Sequence, residues 1–421
     1  MTGVVATTAL QEPVLDAPMS EWALRMTLGA DYLLANFGRF SLAPVLAILL
    51  TSQSHGADWF VTGIGLFGFT LFAGLSSLLV SGWLPRLPYR ISMPASLVLT
   101  GVGFGLLPYA HRPVLVLAML FVAGAGISVH AVLARVLVAE CIASEPGRNT
   151  IYSIQQIGTN AAASLGPFIA AALYVSGDSR PLLTFVGVAY LLGAVALAAG
   201  LRWNMRPPST VRDIHGLAGL AGMLRDPQCR QASIVTSVGS FAYAQFYSAF
   251  ALLVAVAVHS SSLRGFLLAG PPIAIVVLQA PVTRVSNRRL LAGATPLSML
   301  ATATFTFGVA MALLALGLPL LAGAAAAMSV FALAEMTFTP MVSTTFNRIT
   351  SVSRLRAANL QAVAWTSGEA LGSLSGGALF LLCYDRGLGR LYWLLLAVVA
   401  VAGSAPFLPR LRARGTSEEK A

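Results

Sequence analysis

The sequence predicts an all-α polytopic membrane protein, with twelve transmembrane helices arranged as two six-helix bundles around a central cavity. Three observations carry that expectation. The 421-residue chain is 57% hydrophobic and only 10% charged, with a mean hydropathy of +0.79, whereas a soluble domain carries roughly 25% charged residues. Its apolar runs reach the roughly 20 residues a helix needs to cross the hydrocarbon core, and only short polar breaks separate them. Two stretches 206 positions apart also read as copies. Arg148 precedes Ala162-x-x-x-Gly166-Pro167-x-x-Ala170-Ala171, and Arg354 precedes Gly368-x-x-x-Gly372-Ser373-x-x-Gly376-Gly377. Membrane proteins built as two similar halves commonly work by moving one half against the other around a central site, so the repeat points to transport.

Residues 1–21 hold Glu12 and Asp16 but neither Lys nor Arg before the first span. They lack the basic start of a signal peptide and read as a cytoplasmic lead-in. The first span, 22–50, carries Asp31, Asn36 and Arg39. Eight helical residues place Asp31 and Arg39 about 12 Å apart along the axis, so they cannot pair directly and each needs a partner elsewhere. The second span, 58–83, runs into an Arg-rich turn with Gly82, Arg86 and Arg90; the third covers 92–110. Gly101-x-Gly103-x-Gly105 lies inside that third span, where it serves packing rather than nucleotide binding. The fourth span, 113–140, holds His130, which reads as a hydrogen-bonded structural histidine, and ends at Glu140. Arg148 opens the fifth span, 150–176, which presents Gln155, Gln156 and Asn160 before Gly166 and Pro167. The sixth covers 181–203 and completes a bundle over 22–203.

A polar break over 204–228, with Pro207 and Pro208, reads as a cytoplasmic linker in which 214–224 can form a short amphipathic helix. The second bundle, 229–409, begins with a span over 229–257 bearing Phe241, Tyr243, Gln245, Phe246 and Tyr247. The eighth span, 263–283, ends in a second Arg-rich turn with Arg284, Arg288 and Arg289, and the ninth covers 291–315. The tenth, 318–346, holds Glu335 and Pro340; the eleventh, 356–383, holds Trp365, Glu369 and Gly372. The twelfth covers 390–409, and a cytoplasmic tail follows over 410–421.

The net charge of +11 would suit nucleic acid, but its placement argues for topology. Of the 26 basic residues, Arg112, Arg180, Arg264, Arg386 and Arg390 fall in the odd loops and Arg39 inside the first span. The other 20 gather at the N-terminal end, the even loops and the tail. That asymmetry places both termini in the cytoplasm and excludes nucleic acid as a partner. Cys141, Cys229 and Cys383 are isolated, with no metal-site or disulfide spacing. No phosphate-binding loop of the Gly-x-x-x-x-Gly-Lys-Ser/Thr type occurs, and no nucleophile–base arrangement marks an enzyme. Neither a cofactor nor a metal is expected.

Charged groups at bilayer depth are expensive and are functional candidates by default. Asp31, Arg39, Glu335 and Glu369 are therefore candidates for coupling or substrate contact. A buried carboxyl for which a proton and a substrate compete is a simple physical basis for exchange transport; an interhelical ion pair is the alternative. Asn36, Gln155, Gln156, Asn160, Tyr243, Gln245, Tyr247 and Trp365 are candidates for lining the cavity, because aromatic faces hold flat or cationic molecules. Core packing is the alternative for each.

The 6+6 arrangement, the Arg turns after the second and eighth spans, and Gly166-Pro167 in the fifth carry a family resemblance. Over about residues 22–410 the chain resembles the major facilitator superfamily, most closely its twelve-helix drug/proton antiporter branch. The resemblance implies two bundles about a pseudo-two-fold axis, a central cavity and alternating access. It also implies that Gly166, Pro167 and Gly372 shape a bundle interface. Gly82, Arg86, Arg90, Glu140, Arg148, Arg288 and Arg354 are candidates for gating, with Glu140 and Arg148 as expected partners of the loop arginines. Two departures stand out. The acidic residue of the family's first Arg turn is missing, Pro85 or Arg86 standing there, and Leu120 occupies the place of an Arg in the fourth span. The expectation is a monomeric secondary transporter of the bacterial inner membrane that exports a small organic molecule against protons. An importer of the same fold, or a membrane sensor that moves nothing, is the alternative.

Overall fold

The computed structural model describes residues 20–53, 69–70, 72–110, 112–174, 178–206 and 217–408. Every regular element among them is a helix. In the first part of the chain these are α1 (Glu21–Gln53), α2 (Ser77–Val80), α3 (Tyr89–Gly105), α4 (Pro113–Cys141), α5 (Glu145–Leu173) and α6 (Arg180–Gly200). In the second they are α7 (Leu217–Met223), α8 (Pro227–Gln245), α9 (Ala251–Ala257), α10 (Ser261–Leu291), α11 (Pro296–Ala315), α12 (Leu320–Asn347), α13 (Arg354–Asp385) and α14 (Gly389–Ser404). A π turn over Phe246–Phe250 joins α8 to α9 as one rod. The lead-in, most of the second span, part of the linker and the tail lie outside the described residues. The short helix expected over 214–224 forms over Leu217–Met223.

Local sequence sets the helix starts. Ser144 caps α5 by accepting from the Gly147 N–H at 3.2 Å, and Asp226 caps α8 by accepting from Gln228 and Cys229 N–H at 2.7 and 3.1 Å. A proline sits in the first turn of α4, α5, α6, α8 and α11, where its missing N–H costs nothing.

Among the described residues, eight helices are long and apolar enough to cross a membrane: α3, α4, α6, the α8–α9 rod, α10, α11, α12 and α14. Helices α1, α5 and α13 match them in length, at 33, 29 and 32 residues, and carry polar residues such as Asn36, Gln155 and Glu369. Their polar residues have a use, because these helices face inward onto a cavity as well as outward.

Among the described residues the buried apolar side chains form two large clusters and a small one of Ile275, Ala332 and Met336. One large cluster unites Leu24, Leu97, Phe104, Leu133, Leu182 and Tyr190 from α1, α3, α4 and α6. The other unites Val235, Phe246, Phe307, Phe338, Phe380 and Trp393 from α8, α11, α12, α13, α14 and the π turn. Rings stack closely in the second, with Phe246 and Phe331 centroids 4.3 Å apart. In lipid such van der Waals packing, rather than expulsion of water, holds helices together.

The two sequence copies perform the same structural task. A Cβ added at Gly166 would meet the Phe40 backbone at 2.6 Å, so α5 rests directly on α1. A Cβ added at Gly372 would meet Phe241 O at 2.5 Å and Ala244 Cβ at 2.8 Å, so α13 rests directly on α8. Both seams lie inside one part of the chain. Gly166 and Gly372, expected with Pro167 to shape a bundle interface, clamp pairs of helices within each part. Exposed Pro167 sits beside the α5–α1 seam.

Candidate functional site

A cavity of about 350 Å³ lies where α1, α4 and α5 face α8, α12 and α13. Its innermost residues are Tyr32, Arg135, Tyr152, Ser343 and Gln361. Asn36, Gln155, Gln156, Thr159, Tyr243 and Trp365 form the walls. Arg39, Tyr247 and Ser373 stand one to three turns farther along α1, the α8–α9 rod and α13, and all three are exposed. The cavity therefore opens at the Arg39 end.

Contacts between the two parts of the chain close the opposite end. Asn149 Nδ2 donates to Asn287 Oδ1 at 2.6 Å, and Asn287 Nδ2 donates to Thr150 Oγ1 at 3.0 Å. Arg148 donates to Asn347 O at 3.3 Å, Arg348 pairs with Glu145 at 3.4 Å, and Asn347 Nδ2 donates to the Tyr152 hydroxyl. Nearby, Ser77 Oγ donates to Asn359 Oδ1 at 2.9 Å. Each contact joins residues before the linker to residues after it.

Of the sequence-predicted residues, Asn36, Arg39, Gln155, Gln156, Tyr243, Tyr247, Trp365 and Glu369 line this cavity. Glu369 accepts from the Trp365 indole N–H at 2.8 Å. Glu335 lies one layer behind and is fully buried. Gln156 Nε2 donates to its Oε1 at 2.9 Å, and its Oε2 has no hydrogen-bond partner. Asp31 is buried away from the cavity and meets His130 Nε2 at 2.7 Å. It thus finds the partner that Arg39, eight residues on, cannot be.

Two cavity candidates belong elsewhere. Asn160 does not reach the lining and instead donates to Gln156 O at 3.0 Å. Gln245 is locked into the seam of α8, α13 and α14, donating to Gly372 O at 3.0 Å and Ser375 Oγ at 2.9 Å and accepting from the Tyr392 hydroxyl at 2.7 Å. The reason is helical phase: Tyr243, Ala244 and Tyr247 share the inward face of their rod, and position 245 points off it.

The gating set is also arranged differently from expectation. Arg86 stacks over Trp83 at 5.3 Å and Arg90 over Trp203 at 4.7 Å, while Glu140 accepts from the Tyr89 hydroxyl at 2.8 Å. Without an acid in their turn, the two arginines rest on indole faces. Gly82 is half-buried in that turn, and Arg288 and Arg354 are exposed.

Sequence reading missed Arg135, assigning it to the cytoplasmic basic belt. Its side chain is half-buried in the cavity wall and donates to Ala358 O at 3.3 Å. The signal was available, since Arg135 falls inside the span read over 113–140. Tyr32, Tyr152 and Gln361 were missed too. Each stands at helical spacing from a polar residue already chosen: Tyr32 from Asn36, Tyr152 from Gln155 and Gln156, Gln361 from Trp365.

Residues 32–360 match the family model described as Major Facilitator Superfamily. Among solved structures, the human organic anion transporter MFSD10 (TETRAN) is similar, with a TM-score of 0.72 at 17% identity. The match covers 92% of this chain and 99% of that one; at such identity the likeness is one of fold. No curated protein matches the chain.

Proposed function

The chain belongs to the major facilitator superfamily, whose fold marks it as a membrane transporter rather than an enzyme, and on that premise we propose proton-driven export of a small organic molecule by alternating access. In this reading twelve spans form two halves, 22–203 and 229–409, that rock about the cavity. One observation carries it: the cavity is open at the Arg39 end and zipped shut at the Asn149–Asn287 end by bonds that join the halves. Those bonds must break before the second end opens.

The closed end bears Arg148, Arg284, Arg288, Arg289 and Arg348. By the positive-inside rule it faces the cytoplasm, with both termini there and the cavity open outward across a bacterial inner membrane. Glu335 is our assignment for the proton carrier. It is buried on α12, its hydrogen bond from Gln156 crosses to α5, and its second oxygen has no partner. A proton gained or lost there changes what holds the halves together. Export, rather than import, follows the resemblance to the antiporter branch.

The test is proton movement in proteoliposomes carrying an interior pH dye, challenged with a panel of small organic acids, alcohols and amines. At least one compound should drive proton flux, a protonophore should collapse its accumulation, and Glu335→Gln should uncouple the two. Compound movement indifferent to the pH gradient and to Glu335→Gln sinks the coupling; no movement of any compound by folded protein sinks transport.

A further inference from the structure

Three charged side chains line the cavity: Arg39, Arg135 and Glu369. Among the described residues the ion pairs are Arg25–Glu21, His130–Asp31 and Arg348–Glu145, so neither cavity arginine has a carboxylate against it. The contacts of Arg135 are slight for a guanidinium with five donors: one long bond to the Ala358 carbonyl at 3.3 Å. Arg39 leans on the Phe40 ring at 5.8 Å and is otherwise open to the mouth. The acid, Glu369, is already engaged by the Trp365 N–H.

A cation withdrawn from water without a counter-charge is costly at membrane depth, and a ligand that brings the missing charge recovers that cost. Above Arg135 the wall is aromatic, with Tyr243 centred 5.1 Å from Tyr247 and 5.5 Å from Trp365. We propose that the cavity takes an aromatic organic monoanion, its carboxylate on the Arg135 fork at the floor and its ring against Tyr243 and Trp365. A guanidinium presents parallel N–H groups that match a carboxylate edge, and the cavity of about 350 Å³ suits one small molecule. Glu369, one turn beyond Trp365, repels a second acidic group at the ring end. Arg39 at the mouth draws the anion in.

The inference rests on reading the cavity as the site of the transported molecule, but its test does not require transport. Calorimetry on the purified full chain compares 2-naphthoate, 2-naphthylmethanol and 2-naphthylmethylammonium, which share a ring and differ in charge. The naphthoate should bind at least about tenfold tighter than the alcohol, the scale of a charge-assisted hydrogen bond, and the ammonium weakest. Arg135→Gln should abolish that preference, Arg135→Lys should keep part of it, and Arg39→Gln, at an exposed position, should weaken the anion less. Equal or tighter binding of alcohol or ammonium, binding of none of the three, or an unchanged preference in folded Arg135→Gln or Arg135→Lys overturns the proposal. Anion binding without movement in liposomes overturns transport instead and leaves the ligand class standing.

Discussion

Replacing Asn287 by Ala removes the amide that bridges the closed end. Its Oδ1 accepts from Asn149 at 2.6 Å and its Nδ2 donates to Thr150 at 3.0 Å. Asn149 is buried, so the loss leaves a partner without water to replace it. At roughly 0.5–1.5 kcal/mol net for each bond, the closed end loses about 1–3 kcal/mol. The open form, in which these groups are already apart, loses nothing. The ratio of open to closed at this end should therefore rise roughly 5–150-fold. Spin labels on the exposed native Cys141 of α4 and on Arg284→Cys, exposed on α10, report the separation directly once Cys229 and Cys383 are replaced by Ala. Asn287→Ala should move population from a short to a long distance, while Ser298→Ala, whose bonds stay within α11 and its cap, should move none. A ratio that changes less than twofold in Asn287→Ala refutes the assignment of these bonds as the lock.

Gly372→Ala should destabilise the protein by about 1–3 kcal/mol, because the added methyl meets Phe241 O at 2.5 Å and Ala244 Cβ at 2.8 Å. Gly265→Ala, with nothing within 4 Å, should be neutral or slightly stabilising in the same thermal melts. Asp226 lies outside the membrane spans, and the hydrogen bond from the Cys229 N–H, followed by that from Ser351, holds its carboxyl below the usual carboxylate range. A lowered pKa stabilises above the unfolded-state value, and that stabilisation is lost as pH falls through the folded-state value. The melting advantage of wild type over Asp226→Asn, which keeps the cap without the charge, should thus be present at neutral pH and fade on acidification. An advantage that persists in acid contradicts this reading.

The sequence made the helical class legible because bilayer-length apolar runs leave few alternatives, and it showed the 206-residue repeat because close helix approach demands small residues at fixed spacing. The repeat did not reveal its partner. That Gly166 meets Phe40 and Gly372 meets Phe241 depends on which helices lie side by side, which no local pattern encodes. Half of the site was visible as polar residues on otherwise apolar spans, such as Gln155, Gln156 and Glu369. Their phase was not: a membrane helix is apolar nearly all round, so periodicity gives weak guidance on whether Gln245 faces the cavity or a neighbour. Asp31 and His130 are 99 positions apart and Asn149 and Asn287 are 138 apart, so these pairings exist only in the folded chain. Arg135 was lost because a basic residue near the end of a span looks like topology until its side chain is seen in the cavity wall.

The central claim, that the two ends open in alternation, is tested most directly by a removable tether across the closed end. In a chain whose native cysteines are replaced by Ala, Asn149→Cys and Asn287→Cys stand where amide atoms now meet at 2.6 Å. Oxidation should join them in the resting protein and stop compound movement in proteoliposomes, and reduction should restore it. Undiminished movement through fully cross-linked protein would contradict the account.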